Sequence, residues 1–179
     1  MFKTKGSHGT TTSRADSIRR FGWLWGKGRG GAGIYFWKEC KYYIILAVGW
    51  YKQCLAEGRY AKDSDSRCSI IIAELCAQDT ETLDLDNRTL KERIHELAKK
   101  QGVDTFNTIE ISGIYDLFVS ELEKEMKVKY KIMTIEVASP KRQYCPEYST
   151  LTLGFPICCI ARDAKCININ EIKTDNLFL

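Results

Sequence analysis

Positive charge and glycine are concentrated at the N-terminus of this 179-residue chain. The first thirty residues contain seven Lys or Arg side chains and a single acid, Asp16, so this segment has a net charge of +6. The rest of the chain carries 20 basic and 22 acidic side chains. Eight of the thirteen glycines also lie within the first 33 residues. We therefore predict a flexible, basic, Gly-rich arm over residues 1–33 and a single globular body over residues 34–179.

The body has the composition of a globular domain, with 44% hydrophobic and 28% charged residues. Hydrophobic periodicity predicts strands first, then two helices that begin near Thr89 and Ser112, then strands again. The predicted strands cover residues 34–51, 68–75, 132–137, 148–153, 155–161 and 166–172. This order predicts an α+β fold, namely a mostly antiparallel β-sheet with the two central helices packed on one face, preceded by the flexible arm.

The arm is the first candidate binding site. Cations with aromatic side chains beside them suit an anionic surface, either a nucleic acid or a phospholipid. Trp23 and Trp25 can stack on bases, lie at a lipid headgroup boundary, or pack back onto the body as a strap. The candidate residues are Lys3, Lys5, Arg14, Arg19, Arg20, Trp23, Trp25, Lys27 and Arg29.

A second basic patch is expected where the end of the second helix meets the loop that follows Pro140. It forms only if the helix end and the loop converge, and the alternative is an ordinary solvated face with cations at a helix C-terminus. Its residues are Lys124, Lys127, Lys129, Lys131, Lys141 and Arg142.

Catalytic and metal-binding patterns are weak in this chain, and we predict no catalytic residue, no metal and no cofactor. The run Gly26–Gly33 matches G-x-G-x-x-G, but a dinucleotide-binding turn needs a strand before it and a helix after it. We therefore interpret the run as a flexible linker. The chain has only two histidines, His8 and His95, which argues against a histidine metal site or a catalytic triad. No small-molecule substrate is recognised.

Eight cysteines are present and none forms a C-x-x-C pair, so zinc-site spacing is missing. The first twenty residues contain no apolar core of a signal peptide. The longest apolar stretch, residues 42–51, is about half of the ~20 residues that a membrane-spanning helix needs. We therefore expect free buried thiols in an intracellular protein that is neither secreted nor transmembrane, with the host cytoplasm, the inner membrane face or a virion as possible locations.

A basic N-terminal arm followed by one α+β body resembles the small matrix proteins of rhabdoviruses. The resemblance is carried by the order of segments and by the aromatic run Tyr35-Phe36-Trp37, which opens the predicted strand that continues to Val48. It implies a non-enzymatic structural protein of the virion that self-associates, condenses the nucleocapsid and contacts the inner face of the membrane.

These observations give a leading hypothesis and two alternatives. The leading hypothesis is a non-enzymatic, matrix-like assembly protein that self-associates and binds nucleoprotein, RNA or anionic membrane through its arm. The first alternative is a nucleic-acid-binding regulator, such as a suppressor of host defence. The second is an enzyme with a cysteine-dependent site, for which Cys145 and Cys54 are the candidates.

Overall fold

The computed structural model of the chain describes residues 1–174 and has an α+β fold with an eight-stranded, mostly antiparallel sheet. This confirms the predicted fold class. The strands are β1 (Phe2–Thr11), β2 (Gly26–Gly28), β3 (Gly31–Lys38), β4 (Cys68–Ala77), β5 (Thr82–Asp84), β6 (Ile132–Glu136), β7 (Ile157–Ala161) and β8 (Ile167–Thr174). The α-helices are α1 (Thr12–Phe21), α2 (Tyr43–Ala56), α3 (Arg88–Lys100), α4 (Thr108–Met126) and α5 (Thr150–Leu153).

The strands follow the order β5-β6-β7-β3-β1-β4-β8, and β2 pairs with β3 at the side of this path. Strands β5 and β6 are parallel, and the other recorded pairs are antiparallel. Strand β1 is central in the sheet and pairs with β4 along its whole length, from Phe2↔Ala77 to Thr11↔Cys68. The first strand of the chain is therefore a structural centre of the fold.

The flexible arm predicted for residues 1–33 is not confirmed, because these residues form β1, α1 and part of the β2–β3 hairpin. The boundary predicted at residue 33 falls inside β3. Lys3 and Lys5 are exposed and alternate with the half-buried Phe2 and Thr4. This is the two-residue period of a strand with one solvent-exposed face. Six of the eight glycines in this region have another atom within 3 Å of the position that a Cβ would take, so they serve close packing, as Gly9 shows below.

Three helices, α2, α3 and α4, contribute to one hydrophobic core on a single face of the sheet. Helix α2 therefore packs on this face together with the predicted pair, α3 and α4. The sequence instead predicted this segment as the second half of a long strand over 34–51. That part of the prediction is wrong, and only β3 is a strand. Helix α2 carries apolar side chains on almost all sides, so its residues lack the helical period that reveals an amphipathic helix.

The other predicted elements are close to those observed. The predicted strands at 68–75, 132–137, 155–161 and 166–172 correspond to β4, β6, β7 and β8. The strand predicted at 148–153 is wrong, since the short helix α5 occupies this place. Asn87 caps α3, with its side chain accepting a hydrogen bond from the Leu90 N–H. None of the helices described is both long and apolar enough to cross a membrane.

Gly9 places β1 directly against the backbone of α2. A Cβ atom built at this position would overlap the carbonyl oxygen of Ala47. Gly113, inside α4, has no atom within 4 Å of the corresponding position.

We predict that Gly9→Ala lowers the free energy of unfolding by about 3 kcal/mol, because the helix must move to admit the methyl group. Gly113→Ala is the matched control. It is expected to stabilise the protein by ~0.5–1 kcal/mol, since alanine is the better helix former. Chemical denaturation of both variants measures the two effects, and equal stability of Gly9→Ala and the wild type would contradict the packing described here.

Candidate binding cleft

The sheet divides between β1 and β3. Only two residue pairs join these strands, Gly6↔Lys38 and Ser7↔Trp37. Beyond Ser7, β1 continues alongside β4, whereas β3 continues alongside β7 from Trp37 to Ile34. The two strands therefore diverge in the middle of the sheet and leave a gap whose edges are strand backbone.

The peptide groups of Gly9 point into this gap. The Glu39 N–H donates to the carbonyl oxygen of Lys5 at 2.8 Å, so Lys5 directs its backbone groups toward the β3 side. Because the direction of backbone groups alternates along a strand, Ser7 and Gly9 share this orientation. The register with β4 is continuous along β1, so no bulge changes the alternation. Gly9 thus presents an N–H and a C=O to the gap, at a position where the register gives it no partner from β3.

His8 bridges the gap beside Gly9. Its Nδ1 atom lies 2.8 Å from the carbonyl oxygen of Tyr35 and donates to it, since a carbonyl can only accept. Burial lowers the pKa of His8, and the hydrogen bond to Tyr35 opposes this shift without cancelling it. The imidazole is therefore neutral at neutral pH, and Nε2 is left as a hydrogen-bond acceptor.

A cleft of about 860 Å³ extends from this gap. Its volume falls within the range of about 300–1,000 Å³ that is usual for small-molecule sites. The lining comes mainly from β1, α1, the segment that joins α1 to β2, the β2–β3 hairpin, α2 and the residues that follow α2, and it is rich in aromatic side chains. These aromatic residues are Trp23, Trp25, Tyr35, Trp37, Trp50 and Tyr60.

One wall of the cleft alternates cations and aromatic rings. The Arg14 guanidinium lies 4.7 Å from the centroid of the Tyr60 ring, and Arg59 lies 5.3 Å from that of Trp50. Asp63 holds Arg14 in place with an Nε–Oδ2 distance of 2.7 Å. Burial opposes ionisation of Asp63, but hydrogen bonds from Arg14 and Thr11 lower the pKa of its carboxyl below the usual value. Asp63 is therefore ionised at neutral pH and pairs with Arg14.

The cleft is positively charged overall. Four cations line it, namely Arg14, Lys27, Arg29 and Arg59, and no carboxylate is among its described lining residues. Arg14 and Arg59 pair with Asp63 and Glu57 outside the lining. Lys27 and Arg29 are exposed and have no ion-pair partner within residues 1–174. An anionic group entering the cleft therefore meets uncompensated charge near the hairpin.

The hairpin that carries Lys27 and Arg29 is fixed to α4. Gly31 adopts φ +98°, a conformation that favours glycine, and the next N–H, that of Ala32, donates to Asp116 Oδ1 at 2.8 Å. The Tyr35 hydroxyl donates to the carbonyl oxygen of Gly31 at 2.6 Å. The glycine run that the sequence suggested to be a linker is therefore an ordered part of the cleft.

The nine candidate residues of the predicted arm are dispersed by the fold. Lys3 pairs with Glu74 at 2.9 Å and Arg19 with Asp16 at 3.6 Å, and Lys5 lies on the same exposed face of β1 as Lys3. Trp23 packs back onto the body, which is the strap arrangement among the three alternatives. The residues that line the cleft are Arg14, Trp23, Trp25, Lys27 and Arg29, whereas Lys3, Lys5, Arg19 and Arg20 lie outside it.

The residues of the second predicted patch lie before and after β6. Lys131 precedes β6 and pairs with Glu81, whereas Lys141 follows β6 and its backbone N–H donates to Gln53. Lys129 is engaged by the buried Glu123 at 2.7 Å. The remaining members are Lys124 and Lys127 on the helix side and Arg142 on the loop side.

The two cysteines considered as nucleophiles are both buried. Burial raises the pKa of the Cys54 thiol, although Arg59 opposes the shift, and burial likewise raises the pKa of Cys145. Neither environment favours a reactive thiolate at neutral pH. Cys54 lines the cleft as a small apolar side chain.

The sequence-based search missed the centre of the cleft. The presence of only two histidines argues against a histidine site, and Tyr35 falls within the predicted long strand. A local signal is present, because His8-Gly9-Thr10 places a titratable ring beside a glycine within a β-like segment. The divergence of the two strands is a tertiary feature and leaves no such signal.

Comparison with known proteins gave no match, either to a protein-family model or to a curated protein sequence.

We predict that His8 makes stability depend on pH. Its pKa is lower in the folded chain than the unfolded value of about 6.5, so the unfolded state binds the proton more tightly. Stability is therefore lost as the pH falls below about 6.5, with a slope of at most ~1.4 kcal/mol per pH unit for one proton. His8→Gln keeps an N–H donor and removes the titration. Denaturation at pH 7.5 and 5.5 should show a larger loss for the wild type than for this variant, and parallel losses would contradict the assignment.

We also predict that one thiol reacts much faster than the others. Cys40 is exposed, whereas six of the eight cysteines are buried and Cys76 is half-buried. Labelling of the native protein with a maleimide should give one rapid addition, and Cys40→Ser should remove it. Rapid labelling that persists in this variant, mapped to Cys54 or Cys145, would instead support a cysteine-dependent activity.

Proposed function

We propose that the cleft binds a dinucleotide carrying an aromatic carboxamide, the class to which NAD belongs. The observation that carries this proposal is the pair of Gly9 backbone groups at the divergence of β1 and β3. A primary carboxamide has one acceptor oxygen and an NH₂ donor, and it can bond both the Gly9 N–H and the Gly9 C=O. A carboxamide bound in this way makes the two backbone hydrogen bonds to Gly9 that β3 does not make.

The surroundings of Gly9 support the rest of such a ligand. Aromatic side chains offer ring faces to a nicotinamide or adenine ring. The Nε2 atom of neutral His8 can accept a hydrogen bond from a ribose hydroxyl. Lys27 and Arg29 supply the positive charge that a diphosphate requires. The hairpin that carries them is held by Asp116, so the two cations are presented from a fixed backbone.

The chemistry that such a complex favours is cleavage of the bond between nicotinamide and ribose. Neutral nicotinamide departs with the electron pair of the C1′–N bond, and C1′ forms a new bond to an oxygen or nitrogen of water or of an acceptor. The proton of the attacking group is released to solvent. Because no carboxylate lines the described cleft, we assign no general base among these residues.

We predict that NAD binds measurably by titration calorimetry and that His8→Ala weakens its affinity about tenfold or more, because one buried hydrogen bond is lost. His95→Ala, at the exposed histidine of α3, is the matched control and should bind like the wild type. ATP shares the adenine and phosphates of NAD but lacks the carboxamide ring, and it should bind more weakly. Absence of NAD binding, or equal affinity of both variants, would contradict the proposal.

The transfer step is tested separately from binding. Incubation with NAD, with and without a cell extract as a source of acceptors, should release free nicotinamide that chromatography can detect. If NAD binds but no nicotinamide is released, the proposed dinucleotide site is supported and the proposed transfer reaction is excluded.

The matrix-like assembly function stays a second proposal, and its support has changed. The mobile arm on which it depended is folded into the sheet, and three of its cations pair with carboxylates. What favours it is a short exposed stretch of apolar and basic residues at the end of α1, considered in the next subsection. Self-association and binding to nucleoprotein stay predictions that light scattering with and without RNA can test.

A further inference from the structure

A compact surface of exposed apolar side chains lies between α1 and β2. We name residues 20–27, Arg20-Phe21-Gly22-Trp23-Leu24-Trp25-Gly26-Lys27, the basic–apolar segment. Phe21 is 85% exposed, Leu24 86% and Trp25 54%. Three large apolar side chains are thus exposed within five residues of one short segment, which is unusual for a surface that has no partner.

The basic–apolar segment is held in a defined conformation. The Trp23 ring turns inward and lies 5.1 Å from Phe36 and 5.3 Å from His8, measured between ring centroids. Gly22, at φ +86°, ends α1 and donates its N–H to the carbonyl oxygen of Ile18. After Trp25 the chain enters β2, which pairs with β3. The exposed side chains are therefore presented by a fixed loop, so little ordering entropy opposes their burial by a partner.

The charges beside the patch have one sign. Arg20 and Lys27 flank it on either side, and both are exposed. Neither has an ion-pair partner within residues 1–174. The contrast is the turn between α3 and α4, where exposed Phe106 and Ile109 lie beside the carboxylates of Asp104 and Glu110.

The combination fits an anionic lipid surface. Phe, Leu and Trp side chains flanked by cations are the side chains that enter the boundary between headgroups and acyl chains. Each nearby Lys or Arg adds attraction to anionic lipid headgroups. Single-stranded nucleic acid would use the aromatic rings and the cations but gain little from Leu24, which has no face for stacking. Because Leu24 is aliphatic, the patch fits a lipid surface better than it fits single-stranded nucleic acid.

We propose that the basic–apolar segment docks the protein on an anionic membrane surface. Phe21, Leu24 and Trp25 enter the headgroup boundary, and Arg20 and Lys27 contact lipid phosphates. This docking is peripheral and does not depend on the dinucleotide proposal. Because Leu24, Trp25 and Lys27 also line the cleft, a docked molecule holds the mouth of the cleft beside the membrane.

The test is co-sedimentation of the full chain with vesicles of phosphatidylcholine alone and of phosphatidylcholine with phosphatidylserine in a two-to-one ratio. Binding is expected only to the anionic vesicles and should weaken as salt is raised. Leu24→Ser combined with Trp25→Ser, and separately Arg20→Gln combined with Lys27→Gln, should each lower the partition coefficient about tenfold or more. Phe106→Ser combined with Ile109→Ser is the matched control and should bind like the wild type.

Two results would overturn the proposal. One is anionic-vesicle binding that the segment variants leave unchanged. The other is no vesicle binding together with segment-dependent binding of a labelled single-stranded oligonucleotide, which would assign this surface to nucleic acid. NAD titration and vesicle co-sedimentation are separate measurements on the wild-type chain, so failure of the dinucleotide site and failure of membrane docking are distinguishable. Thermal melts verify that each variant is folded.

Discussion

The separation of β1 from β3 is the constraint on which the rest of this structure depends. A sheet that lost its central pairing would ordinarily leave strand edges without partners at a large cost in hydrogen bonds. Here the His8 imidazole donates to the Tyr35 carbonyl and occupies part of the space that ladder hydrogen bonds would fill. Gly9, one residue further along, still has its peptide groups directed into the gap. The fold thereby creates a polar edge inside an aromatic cleft.

The close approach of α2 to β1 makes this opening stable. Because Gly9 has no side chain, the helix backbone lies directly on the strand, and Leu46 and Ala47 are fully buried beneath it. On the other side the hairpin is fixed by Asp116. The cleft is therefore a gap between two well-supported halves of one sheet, and ligand binding needs no large rearrangement of either half.

The sequence predicted much of the fold because most elements carry local signals. Helices α3 and α4 show the 3.6-residue period, and β4 shows a run of β-branched residues at Ile70–Ile72. Helix α2 was missed because burial on several sides removed its polar face, leaving a pattern that suits a strand equally well. The N-terminus was misjudged because glycine and charge suggest a flexible chain, whereas Gly6 and Gly9 permit close packing and Lys3 and Lys5 occupy the wet side of a strand.

The candidate site was less predictable than the fold. Five of the nine residues expected to bind an anionic partner line the cleft, namely three cations and two tryptophans, whereas the other four cations lie outside it. His8, Tyr35 and Trp50 come from three different elements, and only the tertiary structure brings them to one place. The prediction that the N-terminus is flexible is wrong. In the folded protein, aromatic rings and positive charges of the N-terminal residues nevertheless lie together in the cleft.

The central claim is that the Gly9 peptide groups receive a carboxamide. The most direct measurement is a ¹H–¹⁵N NMR titration with nicotinamide and, in parallel, with nicotinic acid, whose carboxylate has no NH₂ donor for the Gly9 carbonyl. The account predicts saturable shifts of the Gly9 and Tyr35 amide resonances with nicotinamide, and much weaker shifts with the acid. Unchanged resonances at both residues, or equal responses to the two compounds, would contradict it.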